Sequence, residues 1–259
     1  MSSEILIVTQ ADGVYTLTLN RPDQFNALSK ELLAELQRNL DAIAHDDRAR
    51  CVVLAANGRA FCAGHDLKQM RAHPEYGYQA RLFADCSRMM QAIVDLPVPV
   101  IAKVQGIATA AGCQLVASCD LAVAINSARF AVSGINVGLF CGTPAVALTR
   151  NVPIKKAFEM LVTGRFISAD EAVNSGLINQ AVEAPQLDGA VAALVAAICS
   201  KSPVAVRTGK SMYRRQHEMS LADAYDFANR VMAGGMMAAD AREGIDAFKE
   251  KRVPVWTGA

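Results

Sequence analysis

The sequence predicts a layered α/β fold, and three observations carry that reading. The apolar runs Cys51–Ala56 and Val98–Val104 have the length and continuity of buried strands. Each run ends at a glycine-containing turn, Asn57-Gly58 in one case and Gly106 in the other. Around them lie stretches with apolar residues three and four apart, as in helices that cover a sheet.

In chain order, residues 4–10 and 14–20 read as a hairpin about Ala11-Asp12-Gly13, with Thr16-Leu17-Thr18-Leu19 alternating. Ser29 is placed to cap a helix running to about His45, whose apolar face carries Leu32, Leu33, Leu36, Leu40 and Ile43. Residues 50–56 form the next strand, and helices follow from about Pro74 to Asp95. A strand at 98–104, a helix at 111–118 and a strand at 120–125 repeat the βα pattern. From Pro153 onward the pattern is mostly helical, near 153–162, 169–175, 185–200, 203–217, 220–233 and 238–250. Val191, Leu194, Val195 and Ile198 make one stripe, and Met219, Met232, Met236 and Met237 are read as packing between helices. No linker, low-complexity stretch or internal repeat divides the chain.

With 259 residues, 52% of them hydrophobic, the chain can bury one sizeable core. Twenty-six basic residues nearly cancel 25 acidic ones, so no charge excess points to nucleic acid. No apolar run is long enough to span a bilayer, and no membrane partner is expected. The seven cysteines are scattered, with no CxxC pair, so neither a disulfide framework nor a metal site is indicated. That usage, and a beginning without the arrangement of a signal peptide, fits a reducing, cytoplasmic setting. No Gly-x-Gly-x-x-Gly or Gly-Lys-Ser/Thr supports a dinucleotide or nucleoside-triphosphate site.

Two loops carry the chemistry. After Val98–Val104, Gly106 and the small residues Ala108 to Gly112 lead into a helix with Cys113, Gln114, Leu115 and Val116. A helix N-terminus presents free N–H groups and favours negative charge, and small side chains admit a ligand to the main chain. After Cys51–Ala56 comes Asn57-Gly58-Arg59-Ala60-Phe61-Cys62-Ala63-Gly64-His65-Asp66-Leu67-Lys68. Two such loops, each donating one N–H to one oxygen, would make an oxyanion hole.

These stretches resemble the crotonase (enoyl-CoA hydratase/isomerase) superfamily. The motifs are Ala60 to Lys68, Pro99 to Asp120, Asn20-Arg21-Pro22 with Asn26-Ala27-Leu28, Leu161 to Gly164 with Ile167-Ser168-Ala169, and Glu243 to Arg252. They stand in the family's order along nearly the whole chain. The resemblance implies a spiral of ββα turns over residues 1–200 and a C-terminal helical trimerisation region over 201–259. It implies a homotrimer or dimer of trimers that binds an acyl-CoA, with coenzyme A as part of the substrate and no separate cofactor. The thioester oxygen would sit between the N–H groups of His65 and Ala111. Asn26, Ala27 and Leu28 would line the pantetheine path, and Ala63, His65, Asp66, Leu67 and Lys68 would run along the CoA. Phe248 and Lys251 would help hold the nucleotide end, often from a neighbouring subunit.

The departures from the family pattern bear on the reaction. Hydratases of the family use two glutamates, and this chain has Gln114 and Gly134 at those places. A glutamine orients a water through its amide but accepts no proton at neutral pH. Losing a general acid or base typically costs about 10²–10⁴-fold. The enoyl-CoA hydratase (lyase) class is therefore implied by whole-chain similarity, while the two-glutamate mechanism is not supported. Gln114→Glu with Gly134→Glu distinguishes a pocket that lacks its acid/base pair from one whose shape has diverged. His65 is a donor through its N–H, with its ring turned away or serving as a proton carrier. Cys141 is a nucleophile if its thiol is activated, and otherwise a small core residue. Ala-Gly-His-Asp also resembles the methylmalonyl-CoA decarboxylase branch. A closer resemblance, through Ala-Ala-Gly-Cys-Gln-Leu-Val-Ala-Ser-Cys-Asp and Asn-Val-Gly-Leu-Phe-Cys-x-Thr-Pro, is to the enoyl-CoA hydratase domain-containing protein 3 group. Decarboxylation, thioester hydrolysis and non-catalytic acyl-CoA binding stand as alternatives to hydration.

Overall fold

The computed structural model describes residues 4–259. Its first elements are strands Leu6–Ala11 (β1) and Val14–Leu19 (β2), helix Lys30–Ala44 (α1), and strands Cys51–Ala56 (β3) and Ala60–Cys62 (β4). Helices Leu67–Ala72 (α2) and Tyr76–Asp95 (α3) follow. Then come strands Val100–Val104 (β5) and Ile107–Thr109 (β6), helix Ala111–Ser118 (α4), strands Leu121–Ile125 (β7) and Arg129–Ala131 (β8), and helix Gly142–Leu148 (α5). Helix Ile154–Thr163 (α6), strand Ile167–Ser168 (β9), helix Ala169–Asn174 (α7) and strand Gln180–Val182 (β10) lead to the last four helices. These are Leu187–Cys199 (α8), Pro203–Gln216 (α9), Leu221–Gly235 (α10) and Ala239–Glu250 (α11).

The strands form two sheets, ordered β1-β2-β3-β5-β7-β10 and β4-β6-β8-β9. Each turn of the chain adds one strand to the larger sheet, one short strand to the smaller sheet, and then a helix. Thus β3, β5 and β7 run parallel in one sheet, and β4, β6 and β8 run parallel in the other. This is a spiral of ββα turns. The short strands, with the helix Gly142–Leu148, are the elements that the sequence pattern did not give. The region after Pro153 is not wholly helical: β10 edges the larger sheet and β9 pairs antiparallel with β8.

Local chemistry explains the main elements. The Ser29 side chain accepts the Leu32 N–H and caps α1, and all five expected apolar residues of that helix are buried. One face of the larger sheet packs on α1, α3 and α4. The other face, through Cys51, Val53, Ile101 and Val123, packs on the Val191–Ile198 stripe of α8. The α9 helix is fastened to this core by polar bonds. Lys210 Nζ donates to Asp120 at 2.7 Å and to the Ile93 and Val98 carbonyls. Arg207 donates to the Asp46, Asp47 and Ala49 carbonyls.

The C-terminal methionines do not pack as expected. Met232, Met236 and Met237 are at least half exposed, as are Leu221, Tyr225 and Phe248. No single helix among the described residues is long and apolar enough to cross a membrane.

Candidate active site

The site lies where the loop after β4 meets the start of α4. Gly64 has φ +92°, and a Cβ there would stand 2.9 Å from the Ala110 Cβ and 3.3 Å from the Ala111 nitrogen. A side chain at 64 would push the loops apart. His65 bridges Leu28 in parallel fashion: Leu28 donates to the Gly64 carbonyl and accepts the Asp66 N–H. In such a bridge the N–H of the middle residue faces the opposite side. The His65 N–H accordingly has no partner among the described residues, nor does that of Ala111, the first residue of α4.

Ala110, between the smaller sheet and α4, has φ +51° and ψ −121°. This backbone is strained for any residue with a Cβ, and such strain concentrates at functional sites. It is held by the Ala110 N–H on the Ala131 carbonyl at 3.0 Å, which fixes how the helix begins. Two free N–H donors on touching loops, one at a helix N-terminus, can hold an oxygen that gains negative charge.

Several of the expected site residues are structural. Asn26 is fully buried, with its backbone in the left-handed region at φ +54°. Its Oδ1 accepts the Arg21 N–H, and its Nδ2 donates to the Asn57 and Ala60 carbonyls, each at 2.8 Å. Leu28 is buried in the core. The side chains of Asn26 and Leu28 therefore line no path, and main-chain atoms are what this segment can offer. The Ala63 N–H is taken by the Phe25 carbonyl, and the Ala27 carbonyl accepts from Arg21.

Asp66 is paired with Arg21 at 3.0 Å and caps α2 through the Lys68 and Gln69 N–H groups. Burial works to raise its carboxyl, but Arg21 and those N–H groups together hold it below the usual range. Leu67 and Lys68 are exposed on α2. Phe248 and Lys251 belong to the end of α11, which packs on α9, and no hydrogen bond or ion pair joins them to the His65 loop.

Burial favours the neutral forms of the His65 imidazole and the Cys141 thiol. Burial pushes the His65 imidazole down to about 4, opposed by the Leu28 carbonyl. Neither ring nitrogen has a geometric hydrogen bond, and the ring lies edge-on to Phe83 with centroids 5.4 Å apart. Burial raises the Cys141 thiol, partly opposed by the Gly134 N–H, which points at its sulfur from 3.2 Å. Cys141 is buried, and its surroundings favour the thiol over the thiolate. At Gly134 a Cβ would lie 2.7 Å from that sulfur and from the Leu139 carbonyl oxygen, so a side chain there requires the loop to shift. Gln114, 5% exposed on α4, keeps a buried Oε1 with no partner. No group of three or more potential metal ligands occurs among the described residues.

Sequence reasoning missed Arg21, Phe25, Arg59 and Thr109 as site residues. The Arg59 guanidinium lies 4.5 Å over the Phe25 ring, beside a cleft of about 380 Å³ that these two line with Pro22 and Asp23. Thr109 and Ser133 bond each other at 2.6 Å, just before Ala110 and Gly134.

Two sheets wound as a ββα spiral, with a glycine loop against a helix N-terminus, define a crotonase-type α/β protein. Residues 9–259 match the family model described as Enoyl-CoA hydratase/isomerase, and the chain belongs to that family. It is 45% identical over 255 residues to enoyl-CoA hydratase domain-containing protein 3, mitochondrial, of Xenopus laevis, covering 98% of this chain and 86% of the relative. The Homo sapiens counterpart is 43% identical over 248 residues, covering 96% and 82%. Among solved structures, an enoyl-CoA hydratase of Mycobacterium smegmatis superposes with a TM-score of 0.97 at 56% identity, covering 98% of this chain and 99% of that one. The human domain-containing protein 3 superposes with a TM-score of 0.95 at 42% identity, covering 98% and 100%.

These relatives correct the expected location. The vertebrate proteins are named as mitochondrial, which overturns the cytoplasmic reading. The seven cysteines are free thiols, and free thiols do not by themselves specify a compartment.

Proposed function

We propose that the chain binds an acyl-CoA thioester with its carbonyl oxygen between the N–H groups of His65 and Ala111. The observation that carries this is the pairing of two unpartnered donors on loops that touch at Gly64. Charge that develops on the oxygen as an enolate or tetrahedral species forms would be stabilised there, aided by the dipole of α4. Hydration through two glutamates is not part of this reading, because Gln114 cannot take a proton and Gly134 carries no carboxylate. The same two donors would serve decarboxylation or thioester hydrolysis with a modest proton donor. They would also serve binding without turnover.

The exposed apolar side chains of α10 and α11 support a homotrimer, or a dimer of trimers, formed through residues 201–259. In that assembly Phe248 and Lys251 would reach the nucleotide end of a neighbour's ligand. The Phe25–Arg59 cleft offers an aromatic face and a cation to the same end.

The test is crotonyl-CoA hydration by purified protein, followed as loss of the conjugated thioester absorbance, beside a binding titration. The expected result is micromolar binding, about −8 kcal/mol, without rapid hydration. Saturated and malonyl-type acyl-CoAs then test hydrolysis and decarboxylation. Rapid hydration would overturn the mechanism, and no binding would overturn the ligand.

A further inference from the structure

Ala110 holds a backbone that an alanine adopts only under constraint, with φ +51° and ψ −121°. Its ψ sets the plane of the peptide that joins it to Ala111, and therefore the direction of the Ala111 N–H. Relaxation of Ala110 toward an ordinary conformation would turn that plane and re-aim the donor. The strain must therefore be held from both sides. On the C-terminal side the Gln114 N–H donates to the Ala110 carbonyl at 3.1 Å, within the first turn of α4. On the N-terminal side the Ala110 N–H donates to the Ala131 carbonyl at 3.0 Å. A single bond there fixes a point and not an orientation.

A pair of side chains supplies the second point. Thr109 ends β6, Ser133 stands two residues beyond the end of β8, and their hydroxyl oxygens lie 2.6 Å apart. The parallel pairing of β6 with β8 ends at Thr109 opposite Ala131. The hydroxyl bond carries that pairing one step further, alongside Ala110. Neither hydroxyl bonds another group among the described residues, so the pair serves no helix cap or turn elsewhere. The Thr109 carbonyl oxygen also lies 3.1 Å from where a Cβ at Gly64 would stand, so the same residue abuts the loop that carries His65.

We infer that Thr109 and Ser133 are positioning residues, whose hydroxyl bond holds the strained Ala110 turn so that the Ala111 N–H stays aimed at the thioester oxygen. This rests on the proposed placement of the thioester, and it adds what keeps one of the two donors in line. Valine at position 109 keeps the branched shape of threonine, and alanine at 133 removes one atom, so each change deletes the bond with little loss of packing.

The test is infrared difference spectroscopy of butyryl-CoA, isotope-labelled at its thioester carbonyl and bound to the full chain, to Thr109→Val, to Thr109→Ser and to Ser133→Ala. Calorimetric titration confirms saturation, and thermal unfolding checks folding. Two well-aimed donors polarise a carbonyl and lower its stretching frequency. In the wild type the band should move down on binding. Thr109→Val and Ser133→Ala should lose most of that shift, while Thr109→Ser, which keeps the hydroxyl, should retain most of it. A merely structural role would lower the unfolding midpoints and leave the full shift in every variant, and that result would overturn the inference. Equal losses in Thr109→Ser and Thr109→Val would overturn it as well, because the hydroxyl would not be the cause. If Thr109→Val does not fold, Ser133→Ala against the wild type decides alone. No binding, or no downward shift in the wild type, would overturn the thioester placement and this inference with it. A wild-type shift that survives loss of either hydroxyl overturns the positioning role alone.

Discussion

The Gly134 N–H points at the Cys141 sulfur from 3.2 Å, and a Cβ at position 134 would lie 2.7 Å from both that sulfur and the Leu139 carbonyl oxygen. Any side chain at position 134 therefore requires the Leu139–Cys141 loop to shift. Gln114→Glu with Gly134→Glu should gain no crotonyl-CoA hydration, and Gly134→Glu alone should destabilise the fold by about 1–3 kcal/mol through overpacking. Chemical denaturation and the absorbance assay check both. Hydration by the double variant at a rate typical of hydratases would show that the loop yields freely.

The His65 imidazole gives a pH signature. Unfolded it titrates near 6.5, while folded it is held down at about 4, chiefly by burial. The unfolded chain therefore binds more protons between those values. The stability tied to the neutral ring is present above pH 6.5 and is lost as pH falls toward 4. Across that window the wild type should lose roughly 3 kcal/mol more than His65→Phe. Denaturation curves of both from pH 7 to 4 measure the difference, and parallel curves would mean that the ring is protonated without cost.

Asn26 holds the turn before α1 by its side chain. Asn26→Ala removes bonds to the Arg21 N–H and to the Asn57 and Ala60 carbonyls and places a Cβ residue without compensation at φ +54°. A loss of about 2–4 kcal/mol is expected. Asn26→Gly should recover a part of it by removing the backbone strain, which comparison of the two unfolding midpoints reads directly.

Lys210, 7% exposed, joins α9 to Asp120 and to two carbonyls of the core. Burial lowers its ammonium against the pull of Asp120. Lys210→Met leaves Asp120 with Arg214 and the Val100 N–H alone, and should cost about 3 kcal/mol in urea unfolding. A change near zero would mean that Arg214 suffices for the buried carboxylate.

The parts of the fold with a regular period were legible in the sequence. The five buried residues of α1, the continuous run of β3 and the stripe of α8 each follow from spacing that one face of an element must satisfy. The smaller sheet was not legible, because β4, β6 and β8 have three residues each, too few to show alternation. At the site, the glycine of the first loop and the helix start of the second were visible. Ala110 gave no sign of its positive φ, since alanine is not a residue that marks such backbone. The bonds of Asn26 and the approach of Cys141 to Gly134 join residues that become neighbours only when the spiral closes. The exposure of Met232 and Met237 depends on which surfaces the chain leaves uncovered, and hydrophobic spacing does not encode that.

The most direct measurement is a crystal structure with butyryl-CoA bound. The expected result places the thioester oxygen about 2.7–3.1 Å from the nitrogens of both His65 and Ala111. A thioester oxygen bound elsewhere, with those two N–H groups facing solvent, would contradict the central claim.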